Sequence, residues 1–555
     1  MRRQSAQFSS ATLRRAPPPP LQVLGRMRSL GMKPALGGFS GHVPKAFADK
    51  YPNASLSRSP DWSNFRKDDP KTADFADVYL LEPTDPLFAE VGAAFIKVQA
   101  DEYGTDHIYQ ADTYNEMMPP TSDPDYLRRS AAAVYGAMAA ADPDAIWLMQ
   151  GWLFFSAPYF WKAPQVEGYL GGVPKGRMWI LDLYSDVSPV WSRTASYYGH
   201  PFIFCTLLDF GGKQGLVGDA PTLAKNFGAA IFNDNSTISG VGLTMEGIWT
   251  NYPMFEMTLQ LGWQPHGAAA ASPAWWSRYG ARRYGGAADA AAVQAWEILG
   301  SGAYSVMAQP DGSPISAMPT INGSACPHEY PAAMPGAAGD GGASGRARDD
   351  TFAQAWGLLL RAGGGRLGAV PSYRFDLIDV GREVLGRNFS ATLAQYGAAF
   401  KRADAAAVAS LAKTLLATID DYDELLATDT NFLLGRWIGW ARSWSATAAG
   451  QDLLEYNARN QLTLWGPTGQ INDYAKKEWA GLVATYYKPR WALFFDHVAK
   501  AVGGAWDPSA FCSEVLQTVE LPWQTDTTPF PATPTGDALA VSRRMYAKYV
   551  GGHFR

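Results

Sequence analysis

Residues 108–150 read IYQADTYNEMMPPTSDPDYLRRSAAAVYGAMAAADPDAIWLMQ. Ile108 to Ala111 is a short apolar run, and Pro119 and Pro120 lie just beyond it. Asp123-Pro124-Asp125 opens a helical stretch from Tyr126 to Ala141, and Ile146 to Gln150 is strand-like again. A strand, a polar loop, a helix start signal and a second strand in this order make one βαβ unit. Working outward, the same alternation runs from Leu21 to about Pro265, with further strand-like runs at Met32 to Phe39, Met178 to Leu183, Phe202 to Leu208 and Thr237 to Leu243. Repeated strand and helix predict parallel strands with crossover helices, hence an α/β barrel over residues 21–268, a distorted or incomplete (β/α)8.

Downstream the pattern changes. Ala405 to Leu426, Asn431 to Ala448 and Tyr474 to Tyr487 carry apolar residues at helical spacing, which predicts an all-α C-terminal domain over 269–555. Met307 to Asp349 is rich in Gly, Pro, Ala and Ser and predicts a mobile loop around 307–349. Residues 1–20 are basic, free of acids and end in four prolines, so they are expected to be a disordered or targeting-like segment.

With 555 residues the chain is long enough for more than one domain. Its net charge of −5, with no basic stripe interleaved with aromatics, argues against nucleic-acid binding. No uninterrupted apolar run approaches the roughly 18 residues of a membrane span. The three cysteines, Cys205, Cys326 and Cys512, are far apart, cannot all pair within the chain, and neither demand nor exclude an oxidising compartment. The seven histidines, His42, His107, His200 and His266 among them, lack metal-ligand spacing; no metal and no cofactor is expected. Gly38-Phe39-Ser40-Gly41-His42 puts His where a serine-hydrolase elbow needs Gly. Arg361-Ala362-Gly363-Gly364-Gly365 lacks the Lys-Ser/Thr ending of a phosphate loop.

Two acids stand out by position. Glu116 follows the first strand of the quoted unit on a βα loop, and Glu246, in Met245-Glu246-Gly247, follows the run Thr237 to Leu243. Barrel enzymes carry their chemistry on such strand ends. A retaining glycosidase needs two carboxyl groups, an acid/base and a nucleophile, about 5 to 5.5 Å apart across the scissile bond. Asn115 adjoins Glu116 and could hold a sugar hydroxyl. Trp152, Phe154, Phe155 and Trp161 follow the strand-like Ile146 to Gln150, while Trp249 and Tyr252 lie near Glu246. Flat aromatic faces stack on pyranoses, although core packing explains most tryptophans; Trp152, just past a strand end, is the expected exception. Asp182 and Asp186 could support the site, but strand-end acids are too common to name as catalysts.

The motifs Asp112-Thr113-Tyr114-Asn115-Glu116-Met117, Trp147-Leu148-Met149-Gln150-Gly151-Trp152, Arg193-Thr194-Ala195-Ser196, Phe210-Gly211-Gly212, Glu246-Gly247-Ile248, Leu462-Thr463-Leu464-Trp465-Gly466-Pro467 and Asp473-Tyr474-Ala475 resemble, in this order, the alpha-N-acetylglucosaminidase family of glycoside hydrolases, which includes the lysosomal heparan-sulfate-degrading type. The resemblance runs from about Leu21 to the C-terminus. It implies a retaining exo-glycosidase that removes terminal alpha-linked N-acetylglucosamine from glycans such as heparan sulfate by double displacement, with Glu116 as acid/base and Glu246 as nucleophile. An alpha-linked N-acetylglucosamine holds its acetamido group cis to the leaving oxygen, so that group cannot attack from behind and the enzyme must supply the nucleophile. Asn115, His42, Trp152 and Asn251 match family positions near the substrate.

There are departures. Leu208-Asp209-Phe210-Gly211-Gly212 carries an acid where the family has Asn, and Lys476 and Glu478 replace an expected Asn and Gln. Segments for the family's N-terminal domain and first two barrel strands are not found before Leu21, so an incomplete N-terminus is expected. The competing reading is a catalytically impaired, glycan-binding or structural remnant. Residues 1–20 lack the continuous apolar stretch of a secretory signal and in their Arg/Ser-rich, acid-free composition are closer to a transit peptide, whereas the resemblance implies lysosome, vacuole or secretion. Asn53-Ala54-Ser55, Asn235-Ser236-Thr237, Asn322-Gly323-Ser324 and Asn388-Phe389-Ser390 have the form of glycosylation acceptors. The expected partner is a glycan ending in N-acetylglucosamine, with a homo-oligomer left open.

Overall fold

A computed structural model of the chain describes residues 19–76, 78–264, 272–285, 289–306, 310–321, 326, 349–364 and 366–551. In chain order the strands are β1 (Leu36–Gly37), β2 (His42–Val43), β3 (Leu56–Arg58), β4 (Tyr79–Leu81), β5 (Ile108–Gln110), β6 (Ile146–Gln150), β7 (Met178–Asp182), β8 (Phe202–Thr206), β9 (Gly218–Asp219), β10 (Ile238–Leu243) and β11 (Ser305–Val306). The chain divides into two compact units, one of residues 1–205 and 230–242, the other of 206–229 and 243–555. This differs from a cut at 268: residues 206–229 and 243–264, expected with the strands, pack with the helical part.

In the first unit a six-stranded sheet runs in the order β1-β5-β6-β7-β8-β10. β1 pairs with β5, β5 with β6, β6 with β7 and β7 with β8, all in parallel. Strands laid side by side in chain order, with helices between them, are the α/β barrel arrangement that the alternation predicts. Period-2 burial drives the central strands. Trp147 and Met149 on β6, and Met178 and Ile180 on β7, are buried, while their neighbours are half-exposed. The helices Pro86–Tyr103 and Pro124–Ala141 begin at Asp85 and Asp123, whose carboxylates accept backbone N–H groups of the first turn. They pack so closely that a Cβ on Gly92 would approach that of Ala137 to 2.7 Å. An antiparallel sheet, β2-β4-β3, was not legible in the sequence because its strands are only two or three residues long.

The second unit is mainly helical, as expected, around the long helices Pro371–Lys401 and Ala405–Leu426. Two expectations are corrected here. Tyr474 to Tyr487 is not one helix: helical backbone begins only after Gly481, as a π-helical stretch Val483–Tyr487 that leads into the α-helix Lys488–Lys500, and the φ of +90° at Gly481 and its N–H, given to Asp423, break the run. Asn431 to Ala448 also splits, into Leu434–Ser443 and a second helix from Ala448. Most of 307–349, like residues 1–18, lies outside the described residues, but 310–321 is a packed segment. Ile315 and Ser316 are buried, and the Trp491 indole donates to the Ile315 carbonyl at 2.9 Å. Cys326 and Cys512 form a disulfide and Cys205 is free. None of the described helices is long and apolar enough to cross a membrane.

Trp147 is wholly buried and its indole donates to the Ala111 carbonyl at 2.8 Å, tying β6 to the segment after β5. Trp147→Ala is expected to destabilise the protein by about 3–5 kcal/mol, read as a lowered denaturation midpoint.

Candidate active site

In the first unit, Glu116 sits on the turn that follows β5. Its two oxygens accept one indole N–H each: Trp62 donates to Oε2 at 2.6 Å and Trp152 to Oε1 at 2.8 Å. Two rigid donors fix the plane of the carboxyl group and leave each oxygen a further lone pair. Trp152 comes from the short helix Trp152–Ser156 after β6. The turn is itself held by Asp112, which accepts the Gln150 N–H at 3.0 Å and so ties the end of β5 to the end of β6; burial raises the pKa of its carboxyl. The neighbouring Asn115 has an enclosed Oδ1 with no donor among the described residues. His42 is on β2 and bonds to the Ser40 hydroxyl at 2.9 Å, with burial lowering its pKa.

In the second unit, Glu246 follows β10. Among the described residues only Oε2 is anchored: the Gly211 N–H donates to it at 2.5 Å and the Tyr474 hydroxyl at 2.7 Å. Gly211 and Gly212 both have positive φ, +68° and +62°. A Cβ at Gly211 would overlap the Tyr474 carbonyl, and one at Gly212 would come within 2.9 Å of the Gly247 Cα. Only glycine lets the three backbones approach this closely. Lys477 completes the cluster, its ammonium donating to the Gly211 carbonyl at 2.7 Å and also to that of Gly212.

Asp209 is fully buried at the start of this turn, with Oδ1 accepting the Gly247 N–H at 3.1 Å and Oδ2 without a hydrogen bond among the described residues. Burial pushes its pKa up to about 7; Lys477 opposes that rise and Glu246 adds to it. Burial likewise draws Lys477 down to about 8, against the pull of Asp209 and Glu246.

The family profile described as the alpha-N-acetylglucosaminidase TIM-barrel domain matches residues 12–265, and that of the C-terminal domain of the same family matches 275–548. The chain belongs to the alpha-N-acetylglucosaminidase family. It is 37% identical over 538 residues to human alpha-N-acetylglucosaminidase, covering 95% of this chain and 68% of that protein. Among solved structures it is similar to a family 89 glycoside hydrolase from Clostridium perfringens in complex with PUGNAc, at TM-score 0.80 and 23% identity over 96% of this chain. A form of that bacterial enzyme in complex with GlcNAc-alpha-1,4-galactose gives a TM-score of 0.80 over 95%. These likenesses show the fold, and the chain spans 58% of the bacterial structures' length.

Within this family frame the departures find partners. Asp209, in place of an amide, faces Lys477 across the glycine turn. Glu478 is buried in a charge network, accepting from the Arg382 guanidinium and from the Ser313 N–H at 2.5 Å, and Lys476 pairs with Asp311 at 3.3 Å. Of the expected substrate contacts, Trp152 spends its N–H on Glu116. Asn251 is buried, with Oδ1 accepting from Val217 N–H at 3.1 Å and Nδ2 donating to the Gly215 carbonyl at 2.8 Å, which makes it a brace for the 215–217 loop. Asp182 braces another turn, accepting the Val190 and Trp191 N–H groups. Phe154 and Trp161 are core, with ring centroids 5.3 Å apart. Trp62, Tyr474 as an anchor, and Lys477 were missed as site residues, since nothing local in sequence marks which distant donor reaches a carboxylate.

An acid whose folded pKa exceeds its unfolded value takes up a proton on folding, so stability falls as pH rises through that window. For Asp209 the window runs from its ordinary 3.8 to about 7. Urea denaturation of wild type and Asp209→Asn should therefore show wild type losing stability relative to the variant between about pH 4 and pH 7, with parallel curves if Asp209 is not a buried acid.

Proposed function

We propose that this chain is a retaining exo-glycosidase that removes terminal alpha-linked N-acetylglucosamine from a glycan such as heparan sulfate. The observation that carries this reading is the one-sided hold on Glu246. Oε2 takes both donors, while Oε1 accepts no hydrogen bond among the described residues. A nucleophilic carboxylate needs this: a fixed orientation and one oxygen with an open lone pair.

In the first step Oε1 of Glu246 attacks the anomeric carbon, the bond to the glycosidic oxygen breaks, and Glu116 delivers its proton to that oxygen. In the second, Glu116 takes a proton from water, whose oxygen attacks the same carbon and releases Glu246 as a carboxylate. Tyr474 and the Gly211 N–H stabilise charge on Glu246 as it leaves the ester. Asn115, with its unanswered Oδ1, is the better placed of the sequence-derived candidates to accept a sugar hydroxyl or amide proton. His42 would contribute as a neutral imidazole, given the lowered pKa.

Lysosomal, vacuolar or extracellular residence is part of the same proposal. The Cys326–Cys512 disulfide suits an oxidising compartment, and Asn53 and Asn235 are exposed acceptor positions.

Hydrolysis of a chromogenic alpha-N-acetylglucosaminide tests the reading. Wild type is expected to be active on the alpha and inactive on the beta anomer. Glu116→Gln and Glu246→Gln should each lower kcat by about a thousandfold or more, and Tyr474→Phe by roughly tenfold. A folded, inactive wild-type chain would favour the remnant reading.

A further inference from the structure

Four consecutive residues with side chains, Ala195 to Tyr198, have left-handed backbone, at φ of +45°, +52°, +53° and +51°. In this region a Cβ crowds the following carbonyl oxygen, so left-handed residues normally occur singly. A run of four persists only where its surroundings over-determine it. Thr194, just before the run, accepts the Tyr197 N–H at 3.4 Å and gives its own hydroxyl proton to the Val190 carbonyl at 3.0 Å. Just before β10, the Thr237 hydroxyl faces the Ser196 carbonyl at 3.0 Å and the His200 carbonyl at 2.6 Å. The turn is thus held from the ends of two strands, since Val190 and Trp191 also give their N–H groups to Asp182 at the end of β7.

The turn supports the short helix Trp152–Ser156. Arg193 donates to the Phe154 carbonyl. Tyr197 is wholly buried, its ring 6.3 Å from that of Phe154 and 5.7 Å from that of Phe202 on β8. Its hydroxyl and the Leu181 carbonyl stand 3.0 Å and 2.9 Å from where a Cβ on Gly151 would lie, so the residue that opens the helix has no room for a side chain. The helix in turn grips the Glu116 turn at both of its ends. The Trp152 indole donates to Glu116 Oε1 at 2.8 Å, and the Ser156 hydroxyl donates to the carbonyl of Asn115 at 3.4 Å. All of these residues belong to the first unit.

We propose that Arg193 and Tyr197 are positioning residues for Glu116: the left-handed turn presses them against the helix Trp152–Ser156, and that helix aims the carboxyl group at the oxygen it protonates. This rests on the glycosidase reading above. Displacing a reacting group by about 1 Å can cost on the order of a hundredfold in rate, so a loosened helix is felt at Glu116. Glu246 takes its donors from Gly211 and Tyr474 instead, and its attack does not depend on this turn. The loss therefore falls on the steps in which Glu116 moves a proton, and spares bond formation by Glu246.

The test compares two donors, a disaccharide ending in alpha-linked N-acetylglucosamine, whose leaving oxygen needs a proton, and the 2,4-dinitrophenyl alpha-glycoside, whose phenolate leaves without one. Arg193→Met and Tyr197→Leu are expected to lower kcat/KM for the disaccharide about tenfold to thirtyfold and to leave that for the dinitrophenyl glycoside within about twofold. Arg193 is exposed, so its variant keeps the test open should Tyr197→Leu fail to fold. Arg193→Lys, which retains a donor, should recover most of the loss. Added azide, which attacks the glycosyl ester on Glu246 without needing a base, should speed dinitrophenyl turnover in the variants and yield the glycosyl azide. Equal losses on both donors, or none on either, overturn the positioning role while leaving the hydrolase intact. If wild type cleaves neither donor, the glycosidase reading has failed, and the indole N–H resonance of Trp152, identified through Trp152→Phe, decides the support separately. A resonance that moves in Arg193→Met as it does in Glu116→Gln upholds the link from the turn to Glu116; one that stays in place in Arg193→Met overturns it.

Discussion

The ammonium of Lys477, held against the carbonyls of Gly211 and Gly212, is the contact on which the Glu246 region depends. Those carbonyls point at Lys477 because both glycines adopt positive φ, and the same twist turns the Gly211 N–H to Glu246. A cation in this position also answers the buried Asp209, whose isolated charge would otherwise cost several kcal/mol in a low-dielectric interior. Backbone shape, charge balance and the orientation of Glu246 are therefore one problem solved by one turn. The non-helical course of 474–480 follows from it. A helix there would withdraw its backbone and side chains from this turn, and the Gly481 and Ala484 N–H groups are instead satisfied by Asp423.

The two glutamates are held by different means. Glu116 meets two indoles, which are stiff, donate only, and shed water from around the carboxyl group. Glu246 meets a peptide N–H and a phenol on one oxygen. The first arrangement spreads the donors over both oxygens; the second gathers both on one oxygen and leaves the other without a donor among the described residues. Identical side chains thus acquire different chemical aptitudes from their donors.

Elsewhere the second unit uses buried guanidinium groups as cross-links. Arg490 reaches Asp473 at 2.6 Å, next to Tyr474, and Arg382 joins Asp379 at 2.7 Å to Glu478, next to Lys477. Breaking such a pair strands a buried charge, so these contacts hold the 473–478 segment in register. The replacement of amides at 476 and 478 by Lys and Glu reads accordingly: the new charges are paired with Asp311 and Arg382.

The sequence by itself determined the strand and helix alternation, the positions of Glu116 and Glu246 after strands, the change to helices downstream, and the family. Period-2 burial on β6 and β7, caps such as Asp85 and Asp123, and ordered motifs are local signals, written within a few residues of the elements they specify. Only the tertiary structure decided that Trp62 and Trp152 grip Glu116, that Tyr474 and Lys477 serve the Glu246 turn, that Asn251 braces a loop, and that Cys326 bonds Cys512. Each joins residues from tens to hundreds of positions apart. Such pairings depend on where the backbone places two groups to within an ångström or so, and no periodicity or spacing in the chain encodes that distance.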